Sequence, residues 1–408
     1  MSLISFEEAL GRLLAAALPV TETEVLPIER AAGRVLASRH VSDLNVPPLD
    51  NSAMDGYAVR CADVPAEGTV LPVSQRIPAG TVGHTLQPGT AARIFTGAPV
   101  PSGADAVVMQ ELCEHSGHGG NNGVTINHRP KPGDNIRRAG EDIAVGKEVL
   151  AAGTRLTPQA IGLLASVGVA QVPVFRQLRV ALFSTGDELV TPGQPLPPGA
   201  IYNSNRYLLG SLLEQAGCAV TDLGIVADTL DATRAALRQA AQNHDLILTS
   251  GGVSVGEEDH VKPAVSAEGE LSLWAIAIKP GKPLAYGHVR RGEGEQADFI
   301  GLPGNPVAAF VTFLMLVRPF VRRRQGGLGS LPAPLMLPAG FDWKKADKRR
   351  NFLRVRLSSE GRLELFSNQS SGVLTSTVWS DGLVDLPAGE TIAAGQPVPY
   401  LPFSLLLA

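Results

Sequence analysis

The chain has 408 residues and a net charge of −4, too long for one ordinary hydrophobic core and without a long basic run that would make nucleic acid its default partner. Three cysteines, Cys61, Cys113 and Cys218, are widely spaced and odd in number, which fits a reducing compartment and gives no zinc pattern. Aromatics are sparse while glycine and proline number 44 and 31, which favours several turn-rich β units over one large helical core.

The first element is a helix over residues 6–18, with apolar spacing near 3.6. Ser5 caps it, Glu8 completes a capping box, and Pro19 ends it. Glu7 and Glu8 stand where a secretory signal would carry basic residues. From 45 to 150 short apolar runs such as Ala106–Met109 and Val124–Ile126 alternate with Pro/Gly turns, and 116–123 reads as a flexible hairpin tip. A second helix over Pro158–Ala165 returns to pack near the first, and Val169–Val174 resumes as a strand.

Residues 178–325 alternate strand and helix. Val180–Phe183, Ala219–Val226, Leu246–Leu248 and Phe299–Gly301 read as strands, and Asn205–Gln215, Thr229–Gln242 and Pro306–Arg322 as helices. That order implies a mostly parallel sheet covered on both faces. After 327 the period returns to two. Residues 352–357 and 362–366 form a hairpin, and the apolar tail 398–407 is strand-like, so a small closed or nearly closed β domain is expected. The longest apolar run, Val307–Val317, is too short to span a bilayer, and the chain reads as soluble and cytoplasmic.

The chemistry gathers at strand ends, where ligands of open α/β sheets sit. The strand at 246–248 empties into Thr249–His260, a loop with three glycines, two serines and three carboxylates. Glycines let backbone N–H groups approach an anion, while acids in the same loop suit a hard cation. The strand at 180–183 runs into Ser184-Thr185-Gly186-Asp187-Glu188, and Phe299–Gly301 into Leu302-Pro303-Gly304-Asn305-Pro306. Taken singly, each feature also has a plain structural reading. Glu188 is a solvated acid after a capped turn, Asp228 an N-cap, Asp259 a surface acid, and Lys279 and Lys282 solvated lysines on a Pro-Gly turn. Asn305 with Pro306 is an ordinary helix start. Jointly, acids at three strand ends of one sheet can converge on one Mg²⁺. No Walker A sequence and no G-x-G-x-x-G after a strand occurs, which argues against ordinary ATPase or Rossmann dehydrogenase chemistry.

Six motifs follow one another in order: Asp50-Asn51-Ser52-Ala53-Met54-Asp55-Gly56-Tyr57-Ala58, Thr96-Gly97-Ala98-Pro99, Ser184–Leu189, Thr249–Gly256, Lys279-Pro280-Gly281-Lys282-Pro283 and Gly301–Pro306. As an ordered set spanning nearly the whole chain they resemble the molybdopterin molybdenumtransferases, the metal-insertion enzymes of molybdenum cofactor biosynthesis related to the E domain of gephyrin. The resemblance implies a multidomain α/β plus β protein. Residues 1–45 and 140–176 would form a β-rich hub and 46–139 a lid. Residues 177–326 would be a mostly parallel α/β pterin-binding domain, and 327–408 a small β-barrel. It further implies a homodimer whose cleft, between the α/β domain of one subunit and the lid of the other, takes adenylylated molybdopterin, molybdate and Mg²⁺ and yields molybdenum cofactor and AMP.

By motif, Glu188, Asp228 and Asp259 match the acids at the diphosphate and metal. Asp55, Thr96, Arg137 and Asp142 match lid residues, and Ser250, Gly251, Gly252, Ser254, Pro303 and Pro306 match the substrate loops. Lys279, Lys282, Arg349 and Ser371 match the oxyanion site. Molybdopterin adenylyltransferase and molybdoenzyme maturation factors are the implied protein partners. Two departures stand out: Trp274 is followed by Ala275 where the family often has lysine, and the barrel's Arg-x-Glu-Phe reads Arg349-Arg350-Asn351-Phe352, which leaves Arg350 a rival to Arg349. Two other readings are molybdopterin adenylyltransferase, which resembles only the middle domain and usually carries Thr-Gly where this chain has Val253-Ser254, and a non-catalytic scaffold, which would not need its acids.

Overall fold

Alternate residues of the central strands enter two different cores, and this organises the larger part of the molecule. A computed structural model of the chain describes residues 3–116, 122–252, 260–292 and 294–407. It divides into two compact units, Met1–Glu24 with Gly33–Ala37 and Pro173–Ala408, and Val25–Ala32 with Ser38–Val172.

The first unit is built on a seven-stranded sheet in the order Leu3–Ile4, Gly269–Ile276, Pro283–Arg290, Gln296–Leu302, Leu246–Ser250, Arg179–Thr185, Ala219–Val226. The last four run parallel, as the strand–helix alternation requires. Val180, Leu182, Leu248 and Ile300 point into one core with the helices Phe6–Ala16 and Ser204–Gln215. Ala181, Phe183, Ile247 and Phe299 point into the other with the helices Leu230–Asn243 and Val261–Glu268. The period of two and burial on both faces explain why these strands read as continuous apolar runs.

Several sequence expectations shift. The strands Gly269–Ile276 and Pro283–Arg290 form an antiparallel hairpin inside the sheet, which the sequence reading did not place. The first helix ends at Ala16, because residue 18 precedes Pro19 and is pushed out of the helical region. Its capping box is half formed: Ser5 Oγ accepts from Glu8 N, but the Glu8 carboxylate goes to Arg12 instead of returning to the cap. The helix from Pro306 continues through a π-turn at Phe313–Val317 to Arg324. The C-terminal tail is a strand only over Pro397–Pro402. Residues Phe403–Leu406 then turn helical, with Leu406 fully buried and the Phe403 ring edge-on to Phe310 at 5.3 Å.

The C-terminal sheet closes on itself. Arg350–Leu357 pairs with Gly382–Leu386, which pairs with Pro397–Pro402, then Leu335–Pro338, and a bridge from Ala339 to Leu363 returns to Leu363–Leu365 beside the starting strand. The short strand Ile278–Lys279 adds in parallel to Arg350–Asn351, tying this ring to the α/β sheet.

The second unit carries a six-stranded sheet, Ala106–Met109, Gly56–Val59, Ala91–Ile94, Thr69–Ile77, Gly123–Ile126, Cys113–His115. Its alternate residues again serve two small cores, Tyr57 and Val59 on one side, Ala58 and Val107 on the other. Of the expected hairpin tip, residues 117–121 lie outside the described residues. The helix Pro158–Ser166, capped by Thr157, belongs to this unit, whereas the first helix belongs to the other. At Gly56 a Cβ would stand 2.0 Å from the Val108 carbonyl oxygen, so the glycine of the Asp55-Gly56-Tyr57 motif is needed for strand approach. Gly56→Ala should destabilise the protein by about 2–3 kcal/mol, because the clashing atom is backbone of the paired strand. A denaturant titration that leaves the midpoint unchanged would contradict this.

Candidate active site

Three adjacent parallel strands, ending at Thr185, Ser250 and Leu302, discharge their loops at one edge of the sheet. Glycine lets the loops crowd there. Gly251 (φ +90°) donates its N–H to the Leu302 carbonyl, and a Cβ on it would lie 3.3 Å from the Thr185 carbonyl. The loops open on a cleft of about 1020 Å³. Its wall takes Glu188 from the first loop, Ser250, Gly251 and Gly252 from the second, and Pro303 and Pro306 from the third. Lys279, Lys282, Arg349 and Ser371 complete it from the Pro-Gly turn and the barrel. Asp259 and Ser254 lie outside the described residues.

Glu188 is exposed, and among the described residues its carboxylate has no cationic partner. It folds back over Gly186 (φ +143°), where a Cβ would meet its Oε2 at 2.6 Å. The positive φ favours glycine there, and a larger residue would move the carboxylate away. Asp228 is not on the cleft wall. Its Oδ1 accepts from Thr185 Oγ1 at 2.9 Å, so it stands behind a wall residue. The N-cap role open to Asp228 falls to Thr229, whose Oγ1 accepts from Ala232 N.

Lys279 Nζ lies 3.3 Å from Asp347 Oδ2, and Arg349 donates to both Asp347 oxygens at 3.2 Å. Arg349 beside it holds the Asp347 carboxyl down at about 2. Asp347, an acid set among the lysines and arginines of 344–350, thus sets the spacing of two cations, which composition alone does not reveal. Since the folded value lies below the ordinary 3.8, the stability it contributes is present above pH 4 and lost as pH falls towards 2. Solvent screening reduces that contribution to on the order of 1 kcal/mol. The Asp347→Asn variant should therefore lose less stability between pH 4.5 and 2 than the wild type. Equal slopes in urea titrations across that window would refute the linkage.

Asn351, the departure from the family's acid, is buried, and its Nδ2 donates to the Arg349 carbonyl at 2.9 Å, a bond no ionised carboxylate could donate. Arg350 is engaged elsewhere, bidentate to Asp385 at 2.5 and 2.6 Å and paired with Glu7. Ala275 is buried, paired in register with Leu3 and Pro283, and is not on the cleft wall. The helix start at Asn305 is also not the ordinary one expected. The Asn305 side chain makes no cap bond and lines the cleft, while Val307 N in the first turn donates to the Ser371 carbonyl at 3.0 Å. Asn205 Nδ2 braces the same loop through the Gly304 carbonyl at 2.7 Å. Leu189, Ile201 and Tyr202 give the cleft an apolar border that the sequence did not announce.

In the second unit Asp55 and Thr96 meet. Asp55 Oδ1 accepts from Thr96 N and Oγ1, both at 2.8 Å, and these two bonds lower its pKa. Arg137 sits in a two-residue strand paired with Asn51, which bridges to Pro99 at the end of the Thr96 loop. Asp142 is exposed on a different strand connection, its N–H bonded to Val46 O. Among the described residues no group of three metal-ligating side chains is assembled.

Residues 4–168 match the MoeA N-terminal region (domain I and II), 181–323 the "Probable molybdopterin binding domain", and 336–403 the MoeA C-terminal region (domain IV). The chain is 41% identical over 412 residues to a molybdopterin molybdenumtransferase of Haemophilus influenzae, covering 99% of this chain and 100% of that protein. It is 40% identical over 390 residues to one of Nostoc, covering 92% and 88%. The crystal structure of the molybdopterin biosynthesis moeA protein of Pyrococcus horikoshii superposes with a TM-score of 0.83 at 27% identity, covering 98% of this chain and 99% of that one.

Proposed function

Since the chain belongs to the MoeA family of molybdopterin molybdenumtransferases, we propose that its cleft takes adenylylated molybdopterin and molybdate and, with Mg²⁺, releases molybdenum cofactor and AMP. The protein is a transferase of molybdenum cofactor biosynthesis. One observation carries the finer reading: a single cleft gathers three cationic side chains, a glycine-rich strand-end loop and an unpaired carboxylate. A dianionic metal oxide and a diphosphate repel each other. Lys279, Lys282 and Arg349 offset that repulsion, while the backbone around Gly251 accommodates phosphate oxygens.

The donor chemistry fits a hard cation. Glu188 and Asp228 offer carboxylate oxygens only, and a Mg²⁺ ion takes few protein carboxylates beside substrate oxygens. Glu188 on the cleft wall would hold it, with Asp228, which accepts from Thr185 behind that wall, and Asp259 as the further acids matched by motif. Bound there, it would neutralise charge developing on the diphosphate. The adenylyltransferase alternative is not favoured, because family regions on both sides of the middle domain are matched as well. We further propose a cytoplasmic homodimer, supplied by molybdopterin adenylyltransferase and served downstream by molybdoenzyme maturation factors. Among the described residues no helix is long and apolar enough to cross a membrane.

The test is anaerobic incubation with adenylylated molybdopterin, Mg²⁺ and molybdate, with assay of AMP and active cofactor. AMP release that ignores molybdate would sink the reading. Mixing Asp55→Ala and Asp259→Ala protomers should restore roughly one intact site per heterodimer if lid and α/β residues meet across subunits. A mixture as inactive as its parents, despite proven subunit exchange, would refute the shared site.

A further inference from the structure

Arg354, in the strand Arg350–Leu357, heads the large side chains that the fold buries completely, with 1% of its surface exposed. Its donors all end on neutral acceptors. Nε reaches Ser376 Oγ at 3.2 Å, Nη1 the Phe352 carbonyl at 3.4 Å, and Nη2 the Ser370 carbonyl at 3.2 Å. Among the described residues no carboxylate pairs with it, whereas Arg176, Arg206, Arg324 and Arg350 each face an aspartate. Burial pushes its guanidinium down to about 10, which leaves it charged at neutral pH. A buried charge without a counter-ion is costly, and an apolar side chain of similar volume would serve packing better.

The residues it holds belong to the cleft. Ser370 accepts from Nη2, and Gln369 is locked to the Arg354 backbone in both directions, Arg354 N to Gln369 Oε1 and Gln369 Nε2 to Arg354 O, each at 3.0 Å. Both residues line the cleft beside Ser371. From the other side the Ser371 carbonyl is held by Val307 N, in the first turn of the buried helix. The segment 369–371 is thus held at Gln369 by the Arg354 backbone, at Ser370 by its guanidinium and at Ser371 by a helix N-terminus.

We infer that Arg354 is a positioning residue for the oxyanion end of the cleft: its guanidinium holds the Ser370 carbonyl beside Ser371, and its uncompensated charge favours doubly charged tetrahedral anions over singly charged ones. This rests on the reading of the cleft as a molybdate site. The two contributions separate by ligand charge. Loss of geometry weakens any tetrahedral anion of the same size, whereas loss of a fixed charge weakens a dianion more than a monoanion.

Tungstate and perrhenate, a tetrahedral dianion and monoanion of nearly the same size, are titrated into the full-length protein by calorimetry, for the wild type, Arg354→Met and Arg354→Lys. Arg354→Met is expected to weaken tungstate about tenfold and perrhenate no more than about threefold. Arg354→Lys should keep the wild-type ratio of the two affinities within about twofold. Equal losses for both anions in Arg354→Met, or wild-type tungstate affinity in a folded Arg354→Met, overturn the inference. If Arg354→Met does not fold, Arg354→Lys decides alone, and a collapsed ratio there overturns it. A wild type that binds neither anion overturns the molybdate reading itself, before any variant is compared.

Discussion

Replacing Glu188 by glutamine should lower the rate of molybdate-dependent AMP release by ~10²–10³-fold while adenylylated molybdopterin still binds within a few-fold of the wild type. The substitution keeps the size and hydrogen-bonding reach of the side chain and removes only its charge. That charge has no cationic partner among the described residues, so its loss leaves no ion pair broken and no buried group orphaned. The cost therefore falls on whatever the carboxylate does with bound ligand, and a metal-holding acid matters most where charge develops in the transition state. Gly186→Ala provides an independent check. Its new methyl would displace the Glu188 carboxylate from its place over residue 186, so activity should fall although Glu188 itself is intact. Turnover at varied Mg²⁺ reads the effect: both variants should need more Mg²⁺ for half-maximal rate. If Glu188→Gln loses pterin affinity in step with turnover, the residue positions substrate and holds no metal.

The parts of the site legible in sequence are those where backbone geometry demands a residue type. Gly186, Gly251 and Gly281 adopt positive φ, and at Gly281 a Cβ would stand 2.4 Å from Thr312 Oγ1, so strand-end glycines stand out from an amino-acid string. Strands buried on both faces were likewise readable, since they leave continuous apolar runs. What stayed hidden depends on partners distant in sequence. Asp228 beside a helix start is equally a cap or a ligand by its spacing, and only the neighbouring strand end, through Thr185, takes it away from the cap. Asn305 looked like an ordinary cap because nothing local reveals that Ser371, more than sixty residues on, occupies the first-turn donor Val307 N–H. The hairpin Gly269–Arg290 escaped notice because Pro-Gly and Pro within 280–283 read as an isolated turn between unrelated loops. Asp347 was masked by the lysines and arginines around it, though an acid surrounded by cations is itself a sign of a spaced pair.

The two neighbouring arginines of the barrel motif give the sharpest contrast. Arg349→Ala should raise the molybdate concentration for half-maximal insertion by ~10–100-fold, because a guanidinium on the cleft wall supplies several charge-assisted donors to one anion. The fold should lose no more than about 1 kcal/mol, since the Arg349 side chain is partly exposed and its pairing with Asp347 lies at the cleft surface. Arg350→Ala should do the opposite. Its guanidinium forks onto Asp385, which is itself buried, and lies 4.8 Å over the Phe6 ring. Removing it leaves Asp385 uncompensated, which should cost about 2–4 kcal/mol of stability, with the molybdate requirement nearly unchanged in the folded fraction. Denaturant midpoints and molybdate titrations on both variants separate the roles in one set of measurements. A molybdate requirement raised by Arg350→Ala and untouched by Arg349→Ala would shift the motif by one residue. The strand pairing Lys279 to Asn351 argues against such a shift, because it fixes Arg349 at the cleft edge and directs Arg350 to the Asp385 side of the barrel.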